Sequence, residues 1–272
     1  MSARNRGRSP INPEKASPHV PSADGLMRLN KAIAKAGVCS RRAADELIDQ
    51  GKVLVNGESA QAGQKVDPAR DLVEVEGKKI SIPSAVKTDH LYLALNKPIR
   101  VVTTTDDPEG RKTVLDLLPK KFSEARVYPV GRLDYFSEGL IILTNDGDMA
   151  HRLMHPRWHL DKVYEVMVRG EVSDQDLETM RSGMTLAEGE KLAPVKVHAR
   201  PAGPGRTRLA MTLIQGVNRQ IRRMCRDLDL TILKLTRVSQ GPVELGGLQP
   251  GKVRELTGDE ANALRRAVGL EI

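Results

Sequence analysis

The 272-residue sequence is poor in cysteine, the residue whose disulfides stabilise many secreted proteins, and it has no long apolar run. Its two cysteines, Cys39 and Cys225, form neither a disulfide framework nor a cysteine-rich metal motif, which is typical of a reducing compartment. No apolar run reaches the ~18 residues that a membrane-spanning helix needs. The basic N-terminal residues lead into no apolar segment of the kind that a secretory signal contains. These absences predict a cytoplasmic protein.

Aromatic residues are also scarce, whereas positive charge is in excess. The chain contains one Trp, four Tyr and two Phe. Lys and Arg number 43 against 35 Asp and Glu, which gives a net charge of +8. Most of this excess lies in two segments, Met27–Asn56 and Val217–Arg237. The surplus favours a polyanionic partner, nucleic acid above all, although many enzymes that bind no nucleic acid carry a similar charge.

The chain is predicted to consist of a tail, two folded domains and a linker. Residues 1–26 have no hydrophobic periodicity and contain four prolines, so we expect a disordered basic tail. Residues 27–76 are predicted to form a small domain of two amphipathic helices and short strands, with a tight turn at Asn56-Gly57. Residues 77–89 are expected to be a linker with one short strand, and residues 90–272 a second domain.

The second domain is predicted to be rich in strands. Strand patterns occupy Leu91–Leu95, Val101–Thr104, Arg126–Val130, Leu140–Thr144, Val163–Val168, Val195–Ala199, Leu209–Ile214 and Thr231–Val238. Helices are predicted at Val114–Leu118, Asp148–Met154, Asp174–Ser182, Asn218–Leu228 and Asp259–Val268. Because few helices separate the strands, this order favours a mixed, mainly antiparallel sheet flanked by helices over a doubly wound parallel sheet. The chain is thus predicted to be an α+β protein with a small N-terminal α/β domain.

Six cations lie on the predicted helices and first strand of the small domain: Arg28, Lys31, Lys35, Arg41, Arg42 and Lys52. Their charge alone fits an RNA-binding surface and an ordinary solvated helix surface equally well. The combination of a basic first helix, Gly-x-x-Ser-Arg-Arg and Gly-Lys-Val-x-Val-Asn-Gly closely resembles the S4 RNA-binding domain. This resemblance covers about Met27–Val75 and implies that the helix pair binds structured RNA.

Sequence motifs of several catalytic classes are missing. His151, His155 and His159 have the spacing of three ligands on one helix, but Pro156 interrupts that helix and no acidic neighbour has a matching spacing. We find no Gly-x-Ser-x-Gly nucleophile turn and no Walker or dinucleotide-binding glycine pattern. The sequence therefore predicts neither a metal site nor a nucleotide cofactor.

One carboxylate lies in a turn between two predicted core strands. Asp134 follows a Gly-Arg-Leu sequence, and a loop between core strands can present a functional side chain rigidly. An ordinary turn residue that pairs with Arg132 is the alternative, and spacing alone favours it. However, six of the seven aromatic residues lie between Phe122 and Tyr164. Flat rings near a carboxylate suit a site that receives an unstacked base.

A second cationic surface is predicted on the helix Asn218–Leu228. Four arginines at positions i, i+3, i+4 and i+7 share one face of this helix: Arg219, Arg222, Arg223 and Arg226. Apolar residues occupy the opposite face. A solvated charged face usually alternates in sign and this one does not, so we expect it to bind an anion.

Four segments, found in this order, resemble the RsuA/RluB branch of the pseudouridine synthases, which isomerise single uridines in ribosomal RNA. These segments are Leu95-Asn96-Lys97-Pro98, Gly131-Arg132-Leu133-Asp134, Lys162-Val163-Tyr164 and Gly216–Met224. The resemblance runs from about His90 to Thr257. Such isomerisation oxidises nothing and adds nothing, so it implies that no cofactor is required.

The resemblance also implies roles for individual residues. Asp134 corresponds to the catalytic nucleophile, and Arg132 to an arginine that helps to hold the target nucleotide out of its helix. Tyr164 corresponds to a catalytic tyrosine that stacks on the target base and can remove its proton. Arg222 corresponds to the arginine that pairs with the nucleophile, and Leu235 falls near an apolar position of the pocket. The cationic face adds two further cations to the candidate substrate-binding residues, Arg219 and Arg223.

The implied substrate is ribosomal RNA or a pre-ribosomal particle. Residues 105–114 and 153–156 look most like the branch that acts on large-subunit (23S) RNA, and the small-subunit (16S) branch is the alternative. We expect a monomer with no membrane or metal partner. Two other interpretations stay open, a non-catalytic RNA-binding or ribosome-associated protein and a metal-dependent nuclease. For a nuclease, Asp227 and Asp229 are the nearest carboxylates to the arginine face.

Overall fold

The chain forms two compact units whose boundary lies between residues 88 and 89. The computed structural model describes residues 25–83, 90–158 and 160–270. The predicted disordered tail, residues 1–26, lies outside the described residues except for its last two. Within the described ranges, none of the helices combines the length and the apolar content that crossing a bilayer demands.

Two helices open the first unit. The short strand β1 (Met27–Arg28) leads into α1 (Leu29–Lys35), and α2 spans Arg41–Asp49. Helix α2 begins at Ser40, whose hydroxyl accepts a hydrogen bond from the Ala43 N–H at 3.2 Å. The Asn30 amide donates to both carboxylate oxygens of Asp45, at 2.9 and 3.0 Å, and so links the two helices.

A four-stranded antiparallel sheet completes the first unit. Its strands are β2 (Val53–Val55), β3 (Glu58–Ser59), β5 (Val73–Val75) and β6 (Lys78–Ile80). A further short strand, β4 (Lys65–Val66), lies outside this sheet. The order is β3-β2-β5-β6, while β4 pairs with β1. The short strand expected within residues 77–89 is β6, which pairs with β5 along its whole length, so the sheet of the first unit extends beyond residue 76.

The second unit contains the remaining elements. They are β7 (Tyr92–Lys97), α3 (Lys120–Ser123), β8 (Tyr128–Val130), β9 (Glu138–Thr144), α4 (Gly147–Met154), β10 (Lys162–Arg169), α5 (Asp174–Ser182), β11 (Lys196–Pro201), β12 (Arg206–Leu213), α6 (Gln220–Asp227), β13 (Ile232–Gln240), β14 (Val243–Glu244), β15 (Val253–Glu255) and α7 (Gly258–Ala267). Two turns of 3-10 helix lie at Leu115–Leu117 and Pro156–Trp158.

One mixed sheet organises the second unit. Its main order is β11-β12-β10-β13-β9-β7-β15, with β14 paired to β13 and β8 paired to β9. Among the described strands, every pairing is antiparallel except β9 with β13, where Glu138 lies opposite Thr236. The prediction of an α+β fold with a mixed, mainly antiparallel sheet flanked by helices is confirmed.

The central strands are buried on both faces, which explains the apolar run at residues 140–143. Leu95 and Ile141 belong to a core cluster on one face of β7 and β9, with Phe122 of α3. Ala94 and Ile142 belong to a second cluster, with α4 and α7. A third cluster joins β10, β12 and β13 to α5 and α6. A strand covered on both sides requires a continuous apolar sequence instead of an alternating one.

Two predicted elements of the second unit are wrong. The expected strand Val101–Thr104 makes only an isolated bridge between Val102 and Thr113. Within the described residues, the backbone hydrogen bonds of this segment join only Val102 to Lys112 and Val114. On either side of Val102, the Val101 carbonyl accepts a hydrogen bond from the Lys97 ammonium and the Thr103 hydroxyl donates to the Leu133 carbonyl. The expected helix Val114–Leu118 is a single 3-10 turn.

Candidate active site

The loop between β8 and β9 presents the carboxylate of Asp134. Gly131 adopts a φ of 77° at the start of this loop, a conformation that glycine reaches without strain. The Thr103 hydroxyl donates to the Leu133 carbonyl at 2.8 Å, and the Ser137 N–H donates to the Asp134 carbonyl at 3.0 Å. The backbone on both sides of Asp134 is therefore held, while its side chain stays 31% exposed.

Two arginines from the region of α6 approach this carboxylate. Arg222 Nε lies 3.4 Å from Asp134 Oδ2, and Arg219 Nη1 lies 3.6 Å from the same oxygen. Arg222 Nη2 also donates to the Phe136 carbonyl at 2.9 Å and to the Ser137 hydroxyl at 3.0 Å. The guanidinium of Arg222 thus contacts three residues of the loop, Asp134, Phe136 and Ser137. Burial lowers the pKa of Arg222, and the charge of Asp134 opposes that effect.

Arg132 does not take part in this ion pair. It is exposed, and no ion pair joins it to any residue in the described ranges. The alternative that Asp134 is a turn residue paired with Arg132 is therefore wrong.

The four-arginine face divides into two parts. Arg219 and Arg222 lie at Asp134, whereas Arg223 and Arg226 bind Glu188, with nitrogen–oxygen distances of 2.9 and 2.7 Å. Arg223 also contacts Glu190, and Arg226 contacts Asp227. Hydrogen bonds from Arg226 and Arg223 lower the pKa of Glu188 to about 2. The predicted four-arginine anion site is wrong for Arg223 and Arg226, because carboxylates of the chain itself already neutralise them.

Tyr164 and Leu235 lie on neighbouring strands of the sheet. Tyr164, on β10, is opposite Arg237 of β13, and it packs against the core cluster that contains Leu235. The same cluster contains Ile221 and Met224 from the apolar face of α6. The helix that carries Arg222 towards Asp134 is therefore seated on the part of the sheet that carries Tyr164.

Lys97 is a part of this region to which the sequence interpretation gave no role. Its side chain is fully buried at the end of β7, and its ammonium donates to the carbonyls of Pro98 and Val101 at 3.0 and 2.8 Å. Burial lowers the pKa of Lys97 to about 8, opposed by the charges of Asp134 and Glu138. A lysine two residues after the apolar run of β7 was the sequence signal that could have revealed it.

The described residues contain no cluster of three or more His, Cys, Asp or Glu side chains that could hold a metal ion. The rings of His151 and His155 lie 5.5 Å apart at the end of α4. His159, the third member of the predicted trio, lies outside the described residues.

Comparison with known proteins identifies the family. The sequence profile of RNA pseudouridylate synthases matches residues 91–227, and that of the S4 domain matches residues 27–73. A ribosomal large subunit pseudouridine synthase B from Bacillus subtilis is 40% identical, over 88% of this chain and 96% of the relative. The chain belongs to the RNA pseudouridylate synthase family. The resemblance to pseudouridine synthases with an S4 domain is confirmed, and the protein is an isomerase.

Other relatives of this synthase cover most of its length. An uncharacterised RNA pseudouridine synthase of Aquifex aeolicus is 42% identical, over 90% of this chain and 96% of the relative. A ribosomal large subunit pseudouridine synthase B of Pseudomonas aeruginosa is 38% identical, over 96% of this chain and 67% of the relative. The crystal structure of a pseudouridylate synthase matches with a TM-score of 0.62 and 28% identity, over 88% of this chain and 99% of that one.

Proposed function

We propose that this synthase isomerises a uridine of large-subunit (23S) ribosomal RNA, with Asp134 as the nucleophile. The observation that carries the proposal is the ion pair between Asp134 and Arg222, which a loop and a helix of the family region hold together. The relatives from Bacillus subtilis and Pseudomonas aeruginosa are named large-subunit synthases, which favours that RNA as the substrate.

The chemistry needs a nucleophile and a sealed base site. Isomerisation breaks the bond between C1′ of the ribose and N1 of uracil and forms a bond between C1′ and C5. C5 loses its proton and N1 takes one up, so one proton is exchanged with the surroundings and the composition of the nucleotide is unchanged. The carboxylate of Asp134 promotes this isomerisation by attack or elimination at the sugar, because covalent catalysis splits one difficult step into two easier ones. No electron leaves the nucleotide and no atom other than that proton is exchanged, so no outside reactant is required.

The residues around Asp134 orient its carboxylate and bind the extruded nucleotide. Arg222 and Arg219 place two positive charges at 3.4 and 3.6 Å from one oxygen of the carboxylate and so orient it towards the cleft beside α6. Tyr164 stacks on the released uracil, and Leu235 forms part of the apolar wall behind it. Arg132, exposed and without an ion pair among the described residues, holds the extruded nucleotide. These contacts offset the few kcal/mol that flipping a base costs.

The first unit binds the RNA and the second unit carries the reaction. We assign the module to residues 27–80, because β6 completes its sheet, and the catalytic domain to residues 90–272. The cations of the helix pair contact phosphates, and this binding weakens as salt rises because condensed counterions are released. Those cations are Arg28, Lys31, Lys35, Arg41, Arg42 and Lys52, the last of which also pairs with Glu76 at 3.3 Å.

Loss of tritium from C5 tests the proposal. Unmodified large- and small-subunit ribosomal RNA are transcribed with 5-tritiated uridine, and the tritium released by the protein is measured. We expect release from the large-subunit transcript, and no release by Asp134→Asn, which still binds the RNA. The matched control is Asp106→Asn, since Asp106 is an exposed aspartate in the same unit.

Each outcome of this experiment bears on a separate part of the proposal. Normal turnover by Asp134→Asn removes Asp134 from the mechanism. Release from the small-subunit transcript alone contradicts the assignment to large-subunit RNA and leaves the isomerase assignment intact. Sequencing the pseudouridine positions in the product then identifies the target uridine.

A further inference from the structure

Two aromatic rings next to Asp134 are exposed although the chain has few aromatic residues. Phe136 is 60% exposed and Tyr135 is 36% exposed. The two rings meet edge to face, with centroids 5.0 Å apart and an interplanar angle of 82°. We call Tyr135 and Phe136 the aromatic pair.

The backbone that carries the aromatic pair is fixed. The Arg100 N–H donates to the Tyr135 carbonyl at 2.7 Å, and Arg222 Nη2 donates to the Phe136 carbonyl at 2.9 Å. The next residue, Ser137, is 2% exposed and also accepts a hydrogen bond from Arg222. The pair is therefore a preorganised surface, and a ligand that binds there orders little additional backbone.

The charges around the aromatic pair favour RNA as the ligand. Arg100 and Arg132 are exposed, and neither makes an ion pair with a residue of the described ranges. Cations beside exposed rings are the combination that proteins use to bind unpaired nucleic acid, with phosphates on the cations and bases on the rings. The pair also directly follows Asp134, so an RNA strand that delivers its uridine to the carboxylate must pass close to it.

The exposure of Phe136 separates this surface from the site of the target base. The isomerising uracil must be enclosed, whereas Phe136 lies on the open side of the loop. Extrusion of the target uridine leaves its neighbour in the strand without a stacking partner. A flat ring beside the nucleophile replaces that partner, and base–aromatic stacking contributes about 1–3 kcal/mol.

We propose that Phe136, supported edge-on by Tyr135, stacks on the unpaired base adjacent to the target uridine. This inference rests on the proposed function and adds a binding subsite for a flanking nucleotide. Phe136 acts on binding of the RNA and takes no part in bond exchange. Its loss therefore raises KM and leaves kcat nearly unchanged.

The test compares four variants by tritium release from the large-subunit transcript. Phe136→Ala and Phe136→Leu are expected to raise KM by about 5- to 100-fold, because both remove the flat ring. Phe136→Trp, which retains a flat ring, keeps KM near the wild-type value. Met154→Ala is the matched control, since Met154 is 53% exposed in the same unit. Melting temperatures are measured for all four, and Phe136→Ala is expected to melt as the wild type does.

A second readout detects stacking directly. A fragment of the transcript that contains the mapped uridine carries 2-aminopurine at the adjacent position. Its fluorescence should fall on binding to wild-type protein and to Phe136→Trp, and should stay unchanged on binding to Phe136→Ala.

Three results would overturn the inference: a KM of Phe136→Ala equal to that of the wild type, a wild-type KM in Phe136→Leu, or a Phe136→Ala variant in which only kcat falls. Each of them leaves the proposed function standing when the wild type releases tritium. If the wild type releases none from either ribosomal transcript, the proposed function itself has failed.

Discussion

At the scale of single residues, two guanidinium groups reach one oxygen of Asp134 but differ in burial. Arg222 is 20% exposed and Arg219 is 52% exposed. A partly buried ion pair is screened by salt much less than a solvated one. Arg222 also binds the Phe136 carbonyl and the Ser137 hydroxyl, so it both orients the loop and stabilises the charge of Asp134.

Arg222→Lys is therefore expected to reduce kcat far more than Arg219→Lys. Lysine retains the charge but lacks the planar fork that spans the loop. Hydrogen bonds to charged groups contribute about 1.5–3 kcal/mol, which corresponds to a loss of roughly 10- to 100-fold in kcat. For the exposed Arg219 we expect a change within about threefold. Single-turnover tritium release measures both, and equal losses would contradict the difference in role.

The lowered pKa of Lys97 makes the stability of the protein depend on pH. This pKa is about 8 in the folded protein, below the ordinary 10.5, because the ammonium is buried. Below pH 8 the folded state holds a buried charge. Between about pH 8 and 10.5 the unfolded chain binds the proton more strongly than the folded one, so the contribution of Lys97 to stability rises with pH.

Lys97→Met provides the comparison that isolates this contribution. The free energy of unfolding of the wild type, minus that of the variant, should be flat below pH 7 and rise by roughly 2 kcal/mol between pH 7 and pH 10. Urea unfolding at a series of pH values measures it. A difference that stays constant over this range would mean that the Lys97 pKa is ordinary.

At the scale of elements, α6 is fixed at both ends of its arginine face. Arg222 binds the loop of Asp134, and Arg223 and Arg226 bind Glu188 in the segment between α5 and β11. Ile221 and Met224 seat the opposite face in the core. The helix therefore cannot rotate without breaking ion pairs or exposing apolar side chains, and this keeps Arg222 at the carboxylate.

The start of β9 shows a similar constraint at Gly139. This residue has a φ of 105°, and a Cβ there would overlap the Arg237 carbonyl on the neighbouring parallel strand. Gly139 lies only two residues after Ser137, where the Asp134 loop ends. Close contact of β9 with β13 thus sets where the loop leaves the sheet.

Gly139→Ala should destabilise the second unit by at least about 3 kcal/mol, because overpacking adds to backbone strain. Gly170→Ala is the matched control, since Gly170 has a φ of 80° but open space around its Cβ position. We expect about 1–2 kcal/mol there, from strain alone. Chemical denaturation measures both variants, and equal losses would show that the contact with Arg237 is unimportant.

At the scale of the whole molecule, each unit has its own core. Leu29, Ile33 and Val53 belong to the cluster of the first unit, and three further clusters fill the second. The boundary between units at residues 88/89 leaves β6 with the first. The two units are therefore expected to fold independently.

A fragment that begins at residue 89 tests this expectation. It should unfold cooperatively and retain single-turnover isomerisation, while KM for the large-subunit transcript rises at least about tenfold as the phosphate contacts of the first unit are lost. The salt dependence of KM should also become shallower. Full wild-type affinity in the fragment would remove the first unit from RNA binding, and failure to unfold cooperatively would show that the units depend on each other.

Local sequence patterns predicted much of the architecture. The apolar run at residues 140–143 identified a buried strand, and the helix Asp174–Ser182 was predicted at its observed bounds. Hydrophobic periodicity and capping residues act over a few positions, so they are readable without the fold. The prediction failed at Val101–Thr104, where the Thr103 hydroxyl donates to the Leu133 carbonyl, because such a bond joins residues that are distant in the sequence.

The candidate site also combines features that local sequence patterns predict with features that only tertiary packing decides. Sequence alone determined that Asp134 lies in a loop between core strands and that Arg222, Arg223 and Arg226 share one helix, since both follow from local spacing. The fourth arginine of the predicted face, Arg219, precedes α6 in a left-handed backbone conformation. Only the tertiary structure decided that Arg219 and Arg222 meet Asp134 while the other two arginines meet Glu188. An ion pair needs two groups within a few ångströms, and the packing of α6 on the sheet, which no local pattern encodes, sets those distances.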